Sequence, residues 1–250
     1  MTVPGSSRRR DRLLLATRNA GKAREIGAIY AHLHLEILTL DAYPAVRELP
    51  ERGTAYAENA ASKAAAAAAA AGLVALADDS GIEVDALDGA PGPHSRRFLG
   101  DDANDDDRNR RMLELLADVP DALRTARYRA VVAIALPAGE TRVFEGICEG
   151  TVAWTPRGRG GFGYDPLFVA MPDGRTMAEL SFDDKNRISH RARALRAAEP
   201  YLLSVFAAGS GEERRAPGAN TSTGAPRAAG CLGTTAGAIA PDESSAGGRR

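Results

Sequence analysis

Hydrophobic and polar positions along the chain follow two patterns: short apolar or alternating runs, which predict strands, and a helical spacing of about 3.6 residues, which predicts helices. Short runs rich in apolar residues predict strands at 12–16, 35–40, 73–77, 127–136 and 143–153. Helical spacing of apolar residues predicts helices at 20–32, 54–71, 105–118 and 189–207. Because strands and helices alternate in the first half and two strands follow one another later, we expect an α/β fold with a mixed sheet.

The same pattern divides the 250 residues into three parts. Large apolar residues recur throughout 12–208, which predicts one folded domain. The polar and basic residues 1–11 predict a flexible N-terminal extension. Residues 209–250 consist mainly of Gly, Ala, Ser, Thr, Pro and Arg, a composition that buries too little surface to offset the entropy of ordering. We therefore expect a disordered, low-complexity tail there.

Charge and cysteine content narrow the class of protein. The chain has 32 basic and 33 acidic residues, a formal net charge of −1, so no positive field favours nucleic acid or an acidic membrane. No apolar run reaches the roughly 20 residues that span a bilayer. Cys148 and Cys231 lie far apart, which argues against a disulfide framework or a zinc site. We expect a cytoplasmic protein without nucleic-acid or membrane partners.

The first candidate motif is a glycine-lysine pair between a strand and a helix, in LLLATRNAGKAREI at 13–26. A nucleotide-binding P-loop requires glycine at position 16 and a hydroxyl at position 23, and both residues here are alanine. That motif is therefore excluded. The N–H groups of a helix N-terminus together with Lys22 can still bind a phosphate. By itself, the pattern favours a structural helix cap over a phosphate site.

Two adjacent carboxylates follow the predicted strand 73–77, in LADDSG. Buried carboxylates are costly unless a cation or hydrogen bonds compensate, and Mg²⁺ prefers such oxygen ligands. Because neighbouring strand side chains point to opposite faces, only one of Asp78 and Asp79 should enter a given site. The pattern does not say which. An Asx turn that ends the strand is an equal alternative.

A glycine-rich stretch, RGRGGFGYDPLF, contains the spacing G-x-G-x-x-G between 158 and 163. A dinucleotide-binding fingerprint must open a helix, and Pro166 follows too closely for that. We interpret the stretch as a loop that presents Phe162, Tyr164 and Asp165. A nucleobase could stack on its aromatic face while the carboxylate accepts N–H donors.

The chain has only three lysines, Lys22, Lys63 and Lys185, and each falls in a polar motif. Lys63 shares one face of the helix at 54–71 with Tyr56 and Asn59.

Two further polar stretches have simple structural interpretations. His190 and Arg191 fit a solvated helix start. The acidic run 101–107 fits carboxylates that favour a helix N-terminus, and we assign it no chemistry.

Five motifs in order together resemble the inosine triphosphate pyrophosphatase family, over about residues 12–208: LLLATRNAGKAREI, ERGTAYAENAASKA, ADDSGIEVDALDGAPGPHSRRF, GGFGYDPLF and DDKNRISHRARAL. Bacterial members are XTP/dITP diphosphatases, which remove non-standard purine nucleotides. The resemblance implies a mixed, elongated central sheet flanked by helices, with the active-site cleft between two lobes. It also implies a homodimer.

The family's reaction is Mg²⁺-dependent hydrolysis of dITP, ITP or XTP to a nucleoside monophosphate and pyrophosphate. The resemblance implies that Asp79 is the catalytic acid/base and a metal ligand, and that Glu51 is a second metal ligand. The implied phosphate-binding residues are Thr17, Arg18, Asn19, Ala20, Gly21, Lys22, Lys63 and Ser80. The implied purine-binding residues are Phe162, Gly163, Tyr164, Asp165, Lys185, His190 and Arg191.

The chain departs from the family pattern at several positions. Many relatives have Gly at Arg18, Tyr at His94 and Ala at Arg96, and Pro50 before Glu51 is not acidic. Two other hypotheses remain open: a nucleotide-binding module without turnover, and a pyrophosphatase for other bases, including modified pyrimidines.

Overall fold

A computed structural model of the chain describes residues 11–44, 46, 49 and 53–212, without the side chains of 209–212. Five α-helices lie in this part of the chain: α1 Ala20–Ile29, α2 Tyr56–Ala71, α3 Asp105–Leu115, α4 Phe182–Ile188 and α5 His190–Glu212. The strands are β1 Arg12–Leu15, β2 Glu36–Thr39, β3 Val74–Val84, β4 Thr125–Ala135, β5 Thr141–Val152 and β6 Phe168–Ala170.

These strands form one mixed sheet in the order β2-β1-β3-β4-β5-β6. The first three strands are parallel, since α1 and α2 provide the crossovers between them, and β3 to β6 are antiparallel. Strands β3, β4 and β5 have 11, 11 and 12 residues and make the sheet elongated. The predicted fold class is confirmed.

Strand β3 continues through the acidic pair instead of ending before it. Asp78 is paired with Val132 and Asp79 with Val131 of β4, and the ladder runs on to Val84. The prediction of a strand end at 77, and with it the Asx turn, is wrong. The physical reason is the long antiparallel partner, which satisfies the backbone on one side of residues 78–84.

Helix α2 lies close against the sheet because its inward residues are small. Ala60, Ala64 and Ala67 are fully buried against a sheet surface that includes Ala75 and Ala77. The opposite face of the sheet is covered by α1 and α5, whose apolar residues form a second cluster with β1, β3 and β4. This close approach brings the polar start of α2 next to the middle of β3.

Two short elements, α4 and β6, are absent from the sequence-based prediction. Ser181 caps α4, accepting a hydrogen bond of 3.1 Å from the backbone N–H of Asp184. Helix α5 ends at Glu212 rather than at 207. The predicted extension at 1–11, except for Asp11, and most of the tail lie outside the described residues. None of the helices in the described ranges has the length and hydropathy needed to cross a bilayer.

We predict that Gly146→Ala lowers the free energy of unfolding by about 1–3 kcal/mol. A Cβ at Gly146 of β5 would lie 2.2 Å from the carbonyl oxygen of His190 and 2.4 Å from the backbone nitrogen of Ala194, so α5 would have to move. Gly27→Ala in α1 is the control, because a Cβ there meets nothing within 4 Å. Urea unfolding measures both, and equal stabilities for the two variants would contradict the prediction.

Candidate active site

A cleft of about 720 Å³ opens between the turn after β1, the middle of β3, the glycine-rich loop and the start of α5. Its volume is typical of small-molecule sites. The structure brings together every described residue that the resemblance assigned to catalysis or substrate. They are Thr17, Arg18, Asn19, Ala20, Gly21, Lys22, Lys63, Asp79, Ser80, Phe162, Gly163, Tyr164, Asp165, Lys185, His190 and Arg191. Glu51 and Pro50 lie outside the described residues.

The turn after β1 is both a helix cap and a wall of the cleft. The Asn19 side chain accepts a hydrogen bond of 3.0 Å from the backbone N–H of Lys22, which caps α1. The Arg18 guanidinium donates to the carbonyl oxygen of Val46 at 3.1 Å. Because the capped helix start faces the cleft, the structural interpretation and the phosphate-site interpretation of this turn do not exclude each other.

Asp79 points from β3 toward α2. Its Oδ2 accepts a hydrogen bond from Asn59 at 3.1 Å, and its Oδ1 lies 3.3 Å from Lys63 Nζ. Lys63 also donates to the carbonyl oxygen of Asp78 at 2.9 Å. Burial raises the pKa of Asp79, although Lys63 and Lys22 oppose that shift. The shared helix face predicted for Asn59 and Lys63 is therefore confirmed, and both side chains bind the carboxylate of Asp79.

Asp78 points to the opposite face of the sheet, as strand alternation predicts. Its carboxylate lies 2.5 Å from Lys22 Nζ and 3.1 Å from Arg191 Nε, and it accepts a hydrogen bond of 3.2 Å from Ser80. Burial alone would raise the pKa of Asp78, but Arg191 and Lys22 hold it well below its usual range. Asp78 is thus an anion at pH 7 that orients two cations beside the cleft.

The start of α5 is buried, so the interpretation of His190 and Arg191 as a solvated helix start is wrong. His190 is 5% exposed and Arg191 is 1% exposed. The His190 ring stacks on Tyr128 with centroids 4.5 Å apart, and its Nδ1 is buried without a partner among the described residues. Burial, together with Arg191, lowers the pKa of His190 well below its ordinary value. The imidazole is therefore neutral at pH 7.

The glycine-rich loop contributes a second buried carboxylate. Asp165 Oδ2 lies 2.5 Å from Lys185 Nζ and accepts a hydrogen bond of 2.8 Å from the backbone N–H of Phe162. Tyr128 donates to Asp165 Oδ1 at 3.2 Å. Burial raises the pKa of Asp165, with Lys185 opposing the shift. Across the cleft, a Cβ on Gly21 would lie 2.6 Å from the Phe162 ring. The ring therefore packs directly on the turn after β1.

Sequence reasoning missed Glu25, which links both basic residues at this end of the cleft. Its carboxylate lies 2.8 Å from Lys185 Nζ and is bonded to Arg191 through the other oxygen. Burial would raise the pKa of Glu25, but Arg191 and Lys185 lower it. The sequence offers one indication of this role. Glu25 directly precedes the apolar Ile26, and both side chains are buried in α1.

Sequence reasoning also assigned no chemistry to the acidic run, yet Asp105 lines the cleft. Its Oδ2 accepts a hydrogen bond of 2.7 Å from the backbone N–H of Gly163. Arg108 and Arg96 line the cleft as well, and Arg96 belongs to a short 3₁₀ helix, Gly92–Arg97.

Comparison with known proteins gives a consistent result. The sequence model of the Ham1 family matches residues 13–201. A dITP/XTP pyrophosphatase of Symbiobacterium thermophilum is 52% identical over 184 residues, which cover 74% of this chain and 91% of the relative. A dITP/XTP pyrophosphatase of Syntrophobacter fumaroxidans is 49% identical over 183 residues, which cover 73% and 78% of the two chains.

Solved structures agree with the sequence relatives. A HAM1 protein from Coxiella burnetii superposes with a TM-score of 0.71 at 37% identity, covering 78% of this chain and 99% of that one. A nucleoside-triphosphatase / dITP/XTP pyrophosphatase from Mycobacterium abscessus gives a TM-score of 0.62 at 39% identity, covering 76% and 99%. The resemblance drawn from five motifs is confirmed.

We predict that Glu25→Gln lowers the free energy of unfolding at pH 7 by about 3 kcal/mol, because Arg191 and Lys185 lose a buried counter-charge. The pKa of Glu25 is lower in the folded state than the roughly 4.3 of an unfolded chain, so its contribution is present above that pH and is lost as the pH falls. The difference between wild type and variant should therefore shrink from pH 7 to pH 3.

Urea unfolding at several pH values measures this difference. The control is Glu36→Gln, which removes a half-exposed partner of Arg12 and should cost less than about 1 kcal/mol. A Glu25→Gln deficit that grows toward low pH would show that the sign is wrong.

Proposed function

The chain belongs to the Ham1 family, and on that premise we propose that it hydrolyses dITP, ITP and XTP to the nucleoside monophosphate and pyrophosphate. The observation that carries the proposal is a single cleft that combines ammonium groups with an aromatic loop. Lys22 and Lys63 lie beside the adjacent carboxylates of β3, and Lys185 lies beside the loop that carries Phe162. Ammonium groups suit a triphosphate, and an aromatic loop with buried polar groups suits a base.

We propose that Mg²⁺ takes part, held by Asp79 and by Glu51, which lies outside the described residues. Among the described residues no group of three or more His, Cys, Asp and Glu side chains could hold a metal ion. Magnesium, however, commonly uses one or two carboxylates together with substrate phosphates. Asp79 fits this role because Asn59 and Lys63 occupy only part of its acceptor capacity. When bound, the ion would polarise the phosphoryl group and orient the attacking water.

The protein's own groups divide the remaining work. Asp79 accepts the proton of the attacking water, a role favoured by the burial that raises its pKa. Lys63 is held beside Asp79 by a 3.3 Å contact, so its ammonium group binds the phosphate that the water attacks. Lys22, oriented by Asp78, lies at the capped start of α1 and neutralises the charge of the departing pyrophosphate.

Discrimination between bases follows from hydrogen bonding at position 6 of the purine. Hypoxanthine and xanthine carry a carbonyl group there, whereas adenine carries an amino group. A donor from the region of His190 and Arg191 pairs with the carbonyl group and is left unpaired by the amine. Leaving a buried polar group unpaired rejects the wrong substrate strongly. Guanine shares the carbonyl group, so its exclusion depends on contacts at position 2.

On the resemblance alone, we also propose that the enzyme is a homodimer that acts on the nucleotides of the cytoplasm. Sedimentation of the full chain tests the dimer, and a monomer throughout the assay range of concentration would overturn it.

Wild-type protein incubated with dITP and Mg²⁺ is expected to release pyrophosphate and not orthophosphate, because the family resemblance implies cleavage between the α- and β-phosphates. A nucleotide panel with pyrophosphate detection, run with and without Mg²⁺, measures this. Release of orthophosphate would show that the bond assignment is wrong. Tight binding of ITP without any product would support the alternative of a nucleotide-binding module without turnover. A preference for pyrimidine nucleotides would support the alternative of a pyrophosphatase for other bases.

Asp79→Asn is expected to lower kcat for dITP by about 10²–10⁴-fold, since the amide cannot accept the proton of water. Its fold should be retained, because the amide has the same shape and keeps an oxygen for Lys63. Circular dichroism and urea unfolding check the fold, and steady-state kinetics check the rate. Asp118→Asn removes an exposed carboxylate outside the cleft and should leave the rate unchanged. Near-normal turnover by Asp79→Asn would rule out its assigned role.

A further inference from the structure

Two side chains of helix α3 hydrogen-bond to the backbone of Gly163 in the glycine-rich loop. The backbone N–H of Gly163 donates to Asp105 Oδ2 at 2.7 Å, and Asn109 Nδ2 donates to the carbonyl oxygen of Gly163 at 3.0 Å. Gly163 has φ = +65°, a left-handed conformation that favours glycine. We call Asp105 and Asn109 the α3 clamp.

The clamp is itself firmly anchored. Asn109 is 5% exposed, so its amide has little water to compete for the hydrogen bond to Gly163. The other oxygen of Asp105 is bonded to the guanidinium of Arg108, which also donates to the carbonyl oxygens of Arg96 and Ala103. A charged acceptor strengthens the hydrogen bond from the Gly163 N–H group. The glycine-rich loop is therefore hydrogen-bonded to a helix that Arg108 in turn connects to the 3₁₀ helix Gly92–Arg97.

The residues next to this tip are the ones that face the proposed base. Phe162 precedes Gly163, and its ring packs on Gly21 and lies 4.8 Å from the Lys185 ammonium group. Asp165 follows two residues later and binds the Phe162 N–H group and Lys185. A displaced Gly163 would move the ring and the carboxylate together. The clamp thus contributes, together with the contacts of Phe162 to Gly21 and of Asp165 to Lys185, to the position of the aromatic loop in the cleft.

We propose that Asp105 and Asn109 are positioning residues for base recognition: by fixing the Gly163 peptide, they hold Phe162, on which the base stacks, and Asp165, which orients Lys185, so that the purine meets the donors near His190 and Arg191. The inference rests on the proposed function and adds to it residues from a helix that sequence reasoning left without chemistry. The clamp touches the loop and not Asp79 or Lys63, so it should act on substrate selection more than on the rate of the chemical step.

The first test compares variants that remove or keep one hydrogen bond. Asn109→Asp has the same shape but lacks the donor to Gly163, and Asp105→Ala lacks the acceptor. Asn109→Asp should raise KM for dITP about tenfold, the effect of one unpaired buried polar group, and Asp105→Ala should raise it less, because the Asp105 side chain is 44% exposed. Both variants should change kcat less than about threefold. The ratio of kcat/KM for dITP to that for dATP should fall about tenfold. Asp105→Asn keeps an oxygen acceptor and should restore most of the selectivity.

The matched control separates positioning from helix stability. Asn104 caps α3, accepting a hydrogen bond of 2.9 Å from the backbone N–H of Asp107, and its side chain is exposed. Asn104→Ala should cost about 1 kcal/mol of stability and leave the ratio of dITP to dATP unchanged. If Asn104→Ala lowers that ratio as much as Asn109→Asp does, α3 is only a structural support and the proposal is overturned.

Hydrogen exchange provides a readout that needs no turnover. Without nucleotide, the amides of 161–165 should exchange faster in Asn109→Asp and Asp105→Ala than in wild type. If wild type cleaves dITP but the two variants show unchanged exchange or unchanged selectivity, the positioning role of the α3 clamp is overturned and the proposed function stands. A wild-type protein that cleaves no dITP overturns the proposed function, and the role in base recognition with it.

Discussion

The buried ion pair between Asp78 and Arg191 is the interaction on which the cleft depends. Asp78 belongs to the middle of the sheet and Arg191 to the first turn of α5, and their side chains are almost completely excluded from water. Each has a second partner, Lys22 for Asp78 and Glu25 for Arg191, so the pair also fastens α1 to the sheet. Charges taken out of water are tolerated only when they are fully paired. Separating these elements would leave buried charges without partners, so the network favours the observed docking of α1 and α5 on the sheet.

This network fixes the position of the glycine-rich loop relative to the turn after β1. Glu25 joins Arg191 to Lys185, and Lys185 in turn binds Asp165 of the glycine-rich loop. A continuous series of charged contacts thus connects the turn after β1 with the loop that carries Phe162. A substrate with an anionic tail and a planar base would meet ammonium groups and an aromatic loop whose relative positions are preset, which reduces the entropy lost on binding.

Adjacent carboxylates on β3 illustrate how environment divides chemical roles. Asp78 and Asp79 have the same side chain and are neighbours, yet cations lower the pKa of the first and burial raises that of the second. Strand alternation is the cause, because it directs Asp78 toward α1 and α5 and Asp79 toward α2. Titratable groups whose environments push their pKa values apart are a recurrent feature of acid–base sites. One strand thereby provides both a structural anion and a candidate proton acceptor.

Local pattern in the sequence by itself determined the alternation of strands and helices, the shared face of Asn59 and Lys63, and the five ordered motifs that identify the family. These features depend on residues close in the chain, where spacing decides which side chains share a face. Only the tertiary structure decided that β3 continues past Asp79, that Asp78 is buried beside Lys22 and Arg191, and that His190 is buried. Strand length required the distant partner β4, and burial required packing between elements far apart in sequence, as between Glu25 and Arg191. Periodicity carries no information about such long-range pairing, since the free energy that stabilises it arises only when the elements meet.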